Sequence, residues 1–201
     1  MSAQLPADSR QIHDLLAGLS RRHLGFDAGE LPDNGIYVFY ERGELFEGDD
    51  RIVRVGTHTG KDRLPKRLKL HFDGTARRSV FRRNVGKALV AAARSHIAPD
   101  ALTSLDPKLF PIALEVEVSR YFEEMFTYSV VRVDDPSDRL RLEAGLIAAL
   151  AADPKPIPSE RWLGHYSPVV AIQEAGLWNR NHVYGLPVSS EDWALLCGLA
   201  S

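Results

Sequence analysis

The first strongly apolar run of the chain reads Gly35-Ile36-Tyr37-Val38-Phe39-Tyr40. An acidic, glycine-bearing segment follows, and a second run then reads Arg51-Ile52-Val53-Arg54-Val55-Gly56. Both runs are short and rich in β-branched or aromatic residues, and turn-forming residues separate them. This pattern predicts an antiparallel hairpin with strands over residues 35–41 and 51–56, joined by a nine-residue connection.

A basic helix is predicted shortly after the hairpin. The segment reads Arg63-Leu64-Pro65-Lys66-Arg67-Leu68-Lys69-Leu70-His71-Phe72. Pro65 suits the first turn of a helix, because the N–H that proline lacks has no partner there. Gly74 suits the end of this helix. Residues four apart lie on the same helical face, so we expect Arg67 and His71 to share one.

The rest of the chain is predicted to be helical, with one more strand. The strand is expected over residues 127–133. Helices are expected over residues 10–24, 79–94, 139–152 and 167–174, and in a short last segment capped by Ser189 or Ser190. Residues 111–126 are ambiguous, because apolar residues alternate as in a strand up to Val118, whereas 121–125 is compatible with a helix.

Glu143 lies in the apolar stripe of the predicted helix 139–152. On a helical wheel its neighbours on one face are Leu140, Leu146, Ile147 and Leu150. A carboxylate in such a stripe is unfavourable unless a cation or hydrogen-bond donors compensate it. A salt bridge with Arg139, four residues earlier, and a bound metal ion are both compatible with this position.

The charge of the chain is distributed unevenly. The sequence has 201 residues, of which 26% are charged, and its formal net charge is -2. Residues 51–94 hold 13 Lys or Arg and two acids, whereas the remainder is acidic. Such a basic block is typical of phosphate binding, but also of a solvated face matched by acids elsewhere in the fold.

Cysteine usage and hydropathy narrow the class of protein. Cys197 is the only cysteine, which excludes an internal disulfide and a multi-cysteine zinc site. No apolar run reaches the roughly 18 residues that a membrane span needs, and the N-terminus lacks the pattern of a secretion signal. We therefore expect a cytoplasmic protein without membrane association.

The stretch from Gly35 to Phe72 resembles the GIY-YIG nuclease domain. Gly35-Ile36-Tyr37 opens the first strand, Val55-Gly56 closes the second, and an arginine and a histidine four residues apart follow on the first helix. Further along, the resemblance includes a glutamate on the helix after the third strand and a late asparagine. It implies an α/β fold: a small, mainly antiparallel three-stranded sheet flanked by helices, with a helical insertion and a C-terminal helical extension.

The resemblance also implies roles for individual residues. Tyr37 would position or deprotonate the attacking water, which requires nearby positive charge because a free tyrosine has a pKa of about 10. Arg67 would bind the scissile phosphate through its planar guanidinium. His71 would share proton transfer or bind phosphate. Glu143 would hold one divalent cation, Mg²⁺ or another such as Mn²⁺, together with waters and substrate phosphate.

The chain departs from the family pattern at the second tyrosine, which is replaced by Arg54. His58, in the loop after the second strand, is a candidate to replace the missing hydroxyl. The late asparagine is assigned to Asn181 first and to Asn179 second. The implied organisation is an N-terminal helix and connector over 1–34, a nuclease-like domain over 35–183 with an insertion at about 76–126, and a C-terminal helical extension over 184–201.

The function that the resemblance implies is metal-dependent endonucleolytic hydrolysis of phosphodiester bonds in DNA, with RNA as a further candidate substrate. Two alternatives stay open: a catalytically inactive nucleic-acid-binding module of the same fold, and a domain whose basic face binds an acidic protein. The replacement at Arg54 favours the binding module, whereas Tyr37, Arg67 and Glu143 together favour the enzyme. Seven residues of the basic block are expected to contact phosphates: Arg54, Lys61, Lys66, Lys69, Arg82, Arg83 and Lys87.

Overall fold

A computed structural model of the chain describes residues 7–23, 30–93, 106 and 110–200. Within them lies one sheet of three strands, β1 (Gly35–Phe46), β2 (Asp49–Gly56) and β3 (Phe126–Arg132). The strand order is β2-β1-β3, and both pairings are antiparallel. The predicted α/β class with a small antiparallel sheet is confirmed.

Seven α-helices surround the sheet in the described part of the chain. They are α1 (Ser9–Ala17), α2 (Leu64–Phe72), α3 (Val80–Ala93), α4 (Ile112–Met125), α5 (Pro136–Ala152), α6 (Val170–Ala175) and α7 (Ser190–Ala200). A short 3₁₀ turn occupies Leu163–Tyr166. None of these helices has both the length and the apolar character needed to cross a bilayer.

The β1–β2 hairpin is confirmed, but its turn is much tighter than the sequence predicts. Two residues, Glu47 and Gly48, join the strands instead of nine. Their φ values are 53° and 99°, and consecutive left-handed residues are what a two-residue hairpin turn requires. Acidic residues and glycine have low strand propensity, which explains why the pattern alone favours a longer loop here.

Helix α4 resolves the segment that the sequence leaves ambiguous. Residues 112–125 form one helix, and its buried residues Val118 and Phe122 are four apart, as packing of one helical face requires. Ile112 is 84% exposed. The strand-like alternation of apolar residues therefore does not mark a buried face.

Two helix starts and one helix end differ from the sequence predictions. Helix α5 begins three residues earlier than predicted, at Pro136, because the Asp135 carboxylate accepts hydrogen bonds from two backbone N–H groups of the first turn. Helix α6 begins at Val170 instead of 167, and α1 ends at Ala17 instead of 24. Helix α2 begins as predicted, and α3 agrees to within one residue at its start.

The central strand β1 is buried on both faces. Ile36, Val38 and Tyr40 belong to one apolar core, which α1, α5 and α7 close. Tyr37 and Phe39 belong to the other, which α2, α3, α4 and α6 close. Successive side chains of a strand point to opposite faces, so a strand covered on both sides needs the continuous apolar run that this one has.

The outer edge of β2 is covered by a segment that follows α6. The backbone N–H of Trp178 donates to the carbonyl of Val53 at 2.7 Å. The amide side chain of Asn179 accepts from the N–H of Val55 at 3.1 Å and donates to its carbonyl at 2.8 Å. This attachment brings residues 180–182 to the end of β2.

A buried carboxylate on β1 fixes the same segment. The indole N–H groups of Trp162 and Trp178 donate to Oε2 of Glu41 at 3.0 and 2.8 Å, and the hydroxyl of Tyr121 donates to Oε1. Burial raises the pKa of Glu41, and these three donors oppose that rise. Glu41 therefore links the sheet to α4 and to the C-terminal part of the chain.

Candidate active site

Two depressions meet at the end of β2, and Arg67 of α2 and Glu143 of α5 line both. Each has a volume of about 360 Å³. The first, here called the α2 depression, is also lined by Arg63, Lys66 and residues 57–59. The second, the loop depression, is also lined by Arg54 and residues 179–182.

Tyr37 lies behind these depressions, on the face of β1 that carries α2. Only 1% of its surface is exposed, and its hydroxyl oxygen lies 2.8 Å from Nε2 of His71. Its ring passes across Gly56, where an added Cβ would come within 2.5 Å of the phenol oxygen. The glycine that closes β2 is therefore needed for Tyr37 to occupy this position.

His71 is fully buried and holds Tyr37 from α2. Its Nδ1 lies 2.9 Å from Oγ of Ser79, at the start of α3. Burial, followed by the charges of Arg67, Arg54 and Arg82, lowers the pKa of His71 well below its ordinary value. The ring is therefore neutral, with one nitrogen donating and the other accepting.

Arg54 stands at the second tyrosine position of the family pattern and is buried next to Tyr37. Its Nη1 donates to the carbonyl of Trp178 at 2.7 Å. Burial lowers the pKa of Arg54, and the interaction with Tyr37 opposes this most strongly. Because it also lines the loop depression, Arg54 connects the phenol to the cleft.

Glu143 is partly buried at the meeting point of the two depressions. Its Oε1 accepts a hydrogen bond from the backbone N–H of Thr57 at 3.0 Å, which ties α5 to the end of β2. Burial raises the pKa of Glu143, and Arg54, the Thr57 N–H, His182 and Arg67 oppose the rise in that order. The carboxylate therefore lies among positive groups without forming a salt bridge with any described residue.

Arg139 does not provide the salt bridge that the sequence leaves open for Glu143. Its guanidinium donates to the carbonyls of Val133 at 3.2 Å, Asp134 at 2.7 Å and Gly60 at 3.2 Å. These bonds hold the loop before α2 against the start of α5. The salt bridge with Arg139 is thus absent, and among the described residues the Thr57 N–H and the nearby charge of Arg54 compensate the Glu143 carboxylate.

The two candidate asparagines occupy different environments. Asn179 is buried, and both ends of its amide are used by the backbone of Val55. Asn181 is exposed and lines the loop depression. Asn179 thus orders the site through the backbone, whereas Asn181 faces the space that a ligand would occupy.

His58 lines the α2 depression, although most of its ring is buried. Its Nε2 accepts a hydrogen bond from the N–H of Gly35 at 3.4 Å. Burial, with a smaller contribution from Arg139, lowers the pKa of His58. His58 lines the α2 depression and Arg54 lines the loop depression, so the two residues contribute to different depressions beside Glu143.

A sequence model of the GIY-YIG domain family matches residues 8–192, most of the chain. The chain belongs to the GIY-YIG domain family. No curated protein and no solved structure matched it. The resemblance inferred from Gly35 to Phe72 is confirmed. Because the GIY-YIG family is a nuclease family, membership also indicates that the substrate is a nucleic acid.

The site of this GIY-YIG domain has the donor chemistry for a cation held by one carboxylate. Oε1 of Glu143 is engaged by Thr57, whereas Oε2 makes no hydrogen bond to a described residue. In the part of the chain that the structure describes, no cluster of three or more His, Cys, Asp or Glu could hold a metal. A divalent cation at Glu143 would therefore take its other ligands from water and substrate phosphate, as Mg²⁺ commonly does.

The predicted phosphate-binding residues separate into exposed and buried groups. Lys61, Lys66 and Lys69 are exposed and Arg83 is half-buried, whereas Lys87 and Arg82 are buried. Lys66 lines the α2 depression. The Nζ of Lys69 lies 2.9 Å from the carboxylate of Asp73. The guanidinium of Arg82 is fully enclosed and donates to protein groups, chiefly the Phe72 carbonyl at 2.7 Å.

Three residues that line the depressions were missed from the sequence: Arg63, Arg180 and His182. Arg63 directly precedes α2, and its place in the basic block was the available signal. Arg180 and His182 alternate with the two candidate asparagines, but their distance in sequence from α2 concealed them. The attachment of Asn179 to β2 is what brings them to the cleft.

Proposed function

We propose that this chain is a metal-dependent endonuclease that hydrolyses phosphodiester bonds in DNA. The observation that carries the proposal is that Arg67 and Glu143 line both depressions, with Arg54 lining the loop depression and with Tyr37 and His71 directly behind it. A guanidinium for phosphate oxygens beside a carboxylate for a hard cation is a suitable pair for phosphoryl chemistry.

Arg67 binds the non-bridging oxygens of the scissile phosphate in this proposal. Its planar fork gives two parallel hydrogen bonds, which strengthen as charge builds up on the phosphate in the transition state. Arg54, the second guanidinium of the cleft, adds positive charge on the side of the loop depression. A divalent metal bound by Glu143 would supply Lewis-acid stabilisation of the leaving oxygen.

Tyr37 acts on the attacking water through the neighbouring Arg54, which reaches the loop depression, and His71 positions Tyr37. A neutral His71 surrounded by Arg67, Arg54 and Arg82 is poorly suited to take up a proton, because the imidazolium would meet three cations. It suits the task of holding the phenol, since Nε2 is 2.8 Å from the hydroxyl oxygen.

We propose that the nuclease-like domain extends over residues 35–183. We also propose that the protein is located in the cytoplasm.

The test is a cleavage assay on single- and double-stranded DNA and RNA, with Mg²⁺, with Mn²⁺ and with a chelator. We expect internal cleavage of DNA that the chelator abolishes. Arg67→Ala and Glu143→Gln should reduce the rate by at least about 10²–10³-fold. The matched control is Glu123→Gln, at an exposed carboxylate of α4 that lines neither depression. A Glu143→Gln variant that cleaves at the wild-type rate would refute the proposed site.

A nucleic-acid-binding module without catalysis is the second candidate. Two observations favour it: Arg54 replaces a family tyrosine, and Tyr37 is 99% buried behind it. This candidate predicts that the wild-type chain binds DNA at low salt but cleaves none of the substrates with either metal. The same assay, read together with a binding titration, therefore separates the two functions.

A further inference from the structure

The α2 depression and the loop depression share their central residues but take their cations from distant parts of the chain. Arg63 and Lys66 belong to the start of α2, whereas Arg180 belongs to the loop after α6. Among the described residues that line the two depressions, Glu143 is the only acid. Positive groups therefore lie on two sides of the Arg67–Glu143 centre.

The cations of both depressions are available to a ligand. Arg63, Lys66 and Arg180 are exposed, and none forms a salt bridge with a described acid. By contrast, two exposed arginines outside the depressions are paired: Arg132 lies 2.9 Å from the Asp134 carboxylate and Arg141 lies 2.7 Å from that of Asp192. A polyanion in the two depressions would relieve the mutual repulsion of these unpaired charges.

This arrangement suits a ligand with anionic groups on both sides of the central one. A mononucleotide or the end of a strand would fill the centre and only one depression. A strand that continues past the centre in both directions places phosphates in both. The geometry thus discriminates between a terminal and an internal phosphodiester.

We propose that one nucleic-acid strand runs from the α2 depression across Arg67 and Glu143 into the loop depression. Lys66, assisted by Arg63, binds the phosphate on one side of the scissile one, and Arg180 binds the phosphate on the other. The proposal rests on the nuclease function proposed above and assigns it an internal, single-strand track. It gives the loop after α6 a direct part in substrate binding.

The first test measures strand binding without cleavage. A single-stranded DNA oligonucleotide is titrated at several salt concentrations in the presence of a chelator, using the full chain. Each lost phosphate contact should reduce the slope of log affinity against log salt by about 0.7. Lys66→Ala and Arg180→Ala should each do so, whereas Lys155→Ala and Arg132→Ala, at exposed residues outside both depressions, should not. An unchanged slope for either site variant overturns the track.

The second test assigns the two sides. Around one cleaved bond, the flanking linkage on either side is replaced by an uncharged methylphosphonate. We expect Lys66→Ala to weaken binding of the unmodified strand severalfold. The same variant should have little effect when the linkage on the Lys66 side is already neutral. Arg180→Ala should show the same dependence on the opposite linkage. Coupling of both variants to the same linkage, or to neither, overturns the track even when the wild type cleaves.

The outcomes separate failure of the track from failure of the nuclease function. A wild type that cleaves no substrate removes the nuclease function, while the salt slopes still decide whether both depressions bind the strand. Polyglutamate that displaces the oligonucleotide equally well at equal charge overturns the track too. That result would assign this surface to an acidic protein.

Discussion

The hydroxyl oxygen of Tyr37 lies 2.8 Å from Nε2 of His71, and this contact joins β1 to α2 inside the core. Arg54, the residue that reaches the loop depression, lies beside the same phenol and interacts with it electrostatically. Tyr37 is therefore linked to the cleft through a cation. Its effect on catalysis should depend on the hydroxyl and not on the ring, because the ring is held by packing against Gly56.

Tyr37→Phe tests this dependence directly. The change keeps the ring and removes the hydroxyl, so we expect the single-turnover cleavage rate to fall by about 10²-fold or more, with little change in DNA affinity. The matched control is Tyr40→Phe, which removes a hydroxyl from the opposite face of the same strand, 3.4 Å from the Leu16 carbonyl. A Tyr37→Phe enzyme with the control's rate would contradict a chemical role for the hydroxyl.

His71 should make the folded state sensitive to acid. Its pKa in the folded protein is well below the ordinary 6.5, so between these values only the unfolded chain binds a proton at this ring. Stability from this source is complete above pH 6.5 and falls as the pH decreases, by up to about 1.4 kcal/mol per pH unit. His71→Gln should reduce that slope. Urea unfolding at several pH values between about 5 and 7.5 measures it, and equal slopes would refute the assignment.

Glu143→Gln should affect function much more than stability. Glutamine keeps an oxygen for the Thr57 N–H, so we expect the free energy of unfolding without metal to change by less than about 1 kcal/mol. Mg²⁺ should raise the melting temperature of the wild type but not of the variant, because a ligand stabilises only the state that binds it.

The matched control for Glu143 is a carboxylate in a buried ion pair. Oε2 of Glu44 lies 2.7 Å from Nη2 of Arg51, and both side chains are almost fully enclosed. Glu44→Gln should therefore cost about 3–5 kcal/mol, since it leaves a buried cation unpaired. If Glu143→Gln destabilised the protein as much, a structural role for Glu143 would follow.

Arg82 should act on folding and not on nucleic-acid binding, although its sequence position favours phosphate contact. Its buried guanidinium donates to the carbonyls of His71 and Phe72 and to Ser119. Arg82→Met should lower the free energy of unfolding by at least about 2 kcal/mol, because these buried acceptors lose their donor. Urea unfolding and a DNA titration decide it; weaker binding by an equally stable variant would show that Arg82 contacts the ligand.

Much of the site could be predicted because its residues belong to locally periodic segments. A few neighbouring residues are enough to predict the structure of three segments: the strand at residues 35–40, helix α2 with its early proline, and helix α5 with a carboxylate in its apolar stripe. The GIY-YIG pattern then relates these segments in space. Arg67 and Glu143 lie together as the pattern implies, with Tyr37 close behind.

The remaining features depend on contacts between segments far apart in the chain. Glu41 is buried because donors from α4 and from residues 162–178 reach it, and no local pattern carries that information. Arg82 looks like any cation of the basic block until α4 covers it. Arg180 lies at the cleft because the amide of the preceding Asn179 hydrogen-bonds to the backbone of β2. A single asparagine in a polar loop does not predict that contact.

The amide of Asn179 has a consequence for the behaviour of the chain in solution. Together with Trp178 it occupies hydrogen-bonding groups at Val53 and Val55 that an edge strand would otherwise offer to a second molecule. The loop that carries Arg180 to the cleft therefore also shields β2 from edge-to-edge aggregation. Loosening that loop would move Arg180 away from the cleft and expose the edge of β2 to a second molecule at the same time. A change that weakens the site in this way should therefore also promote self-association.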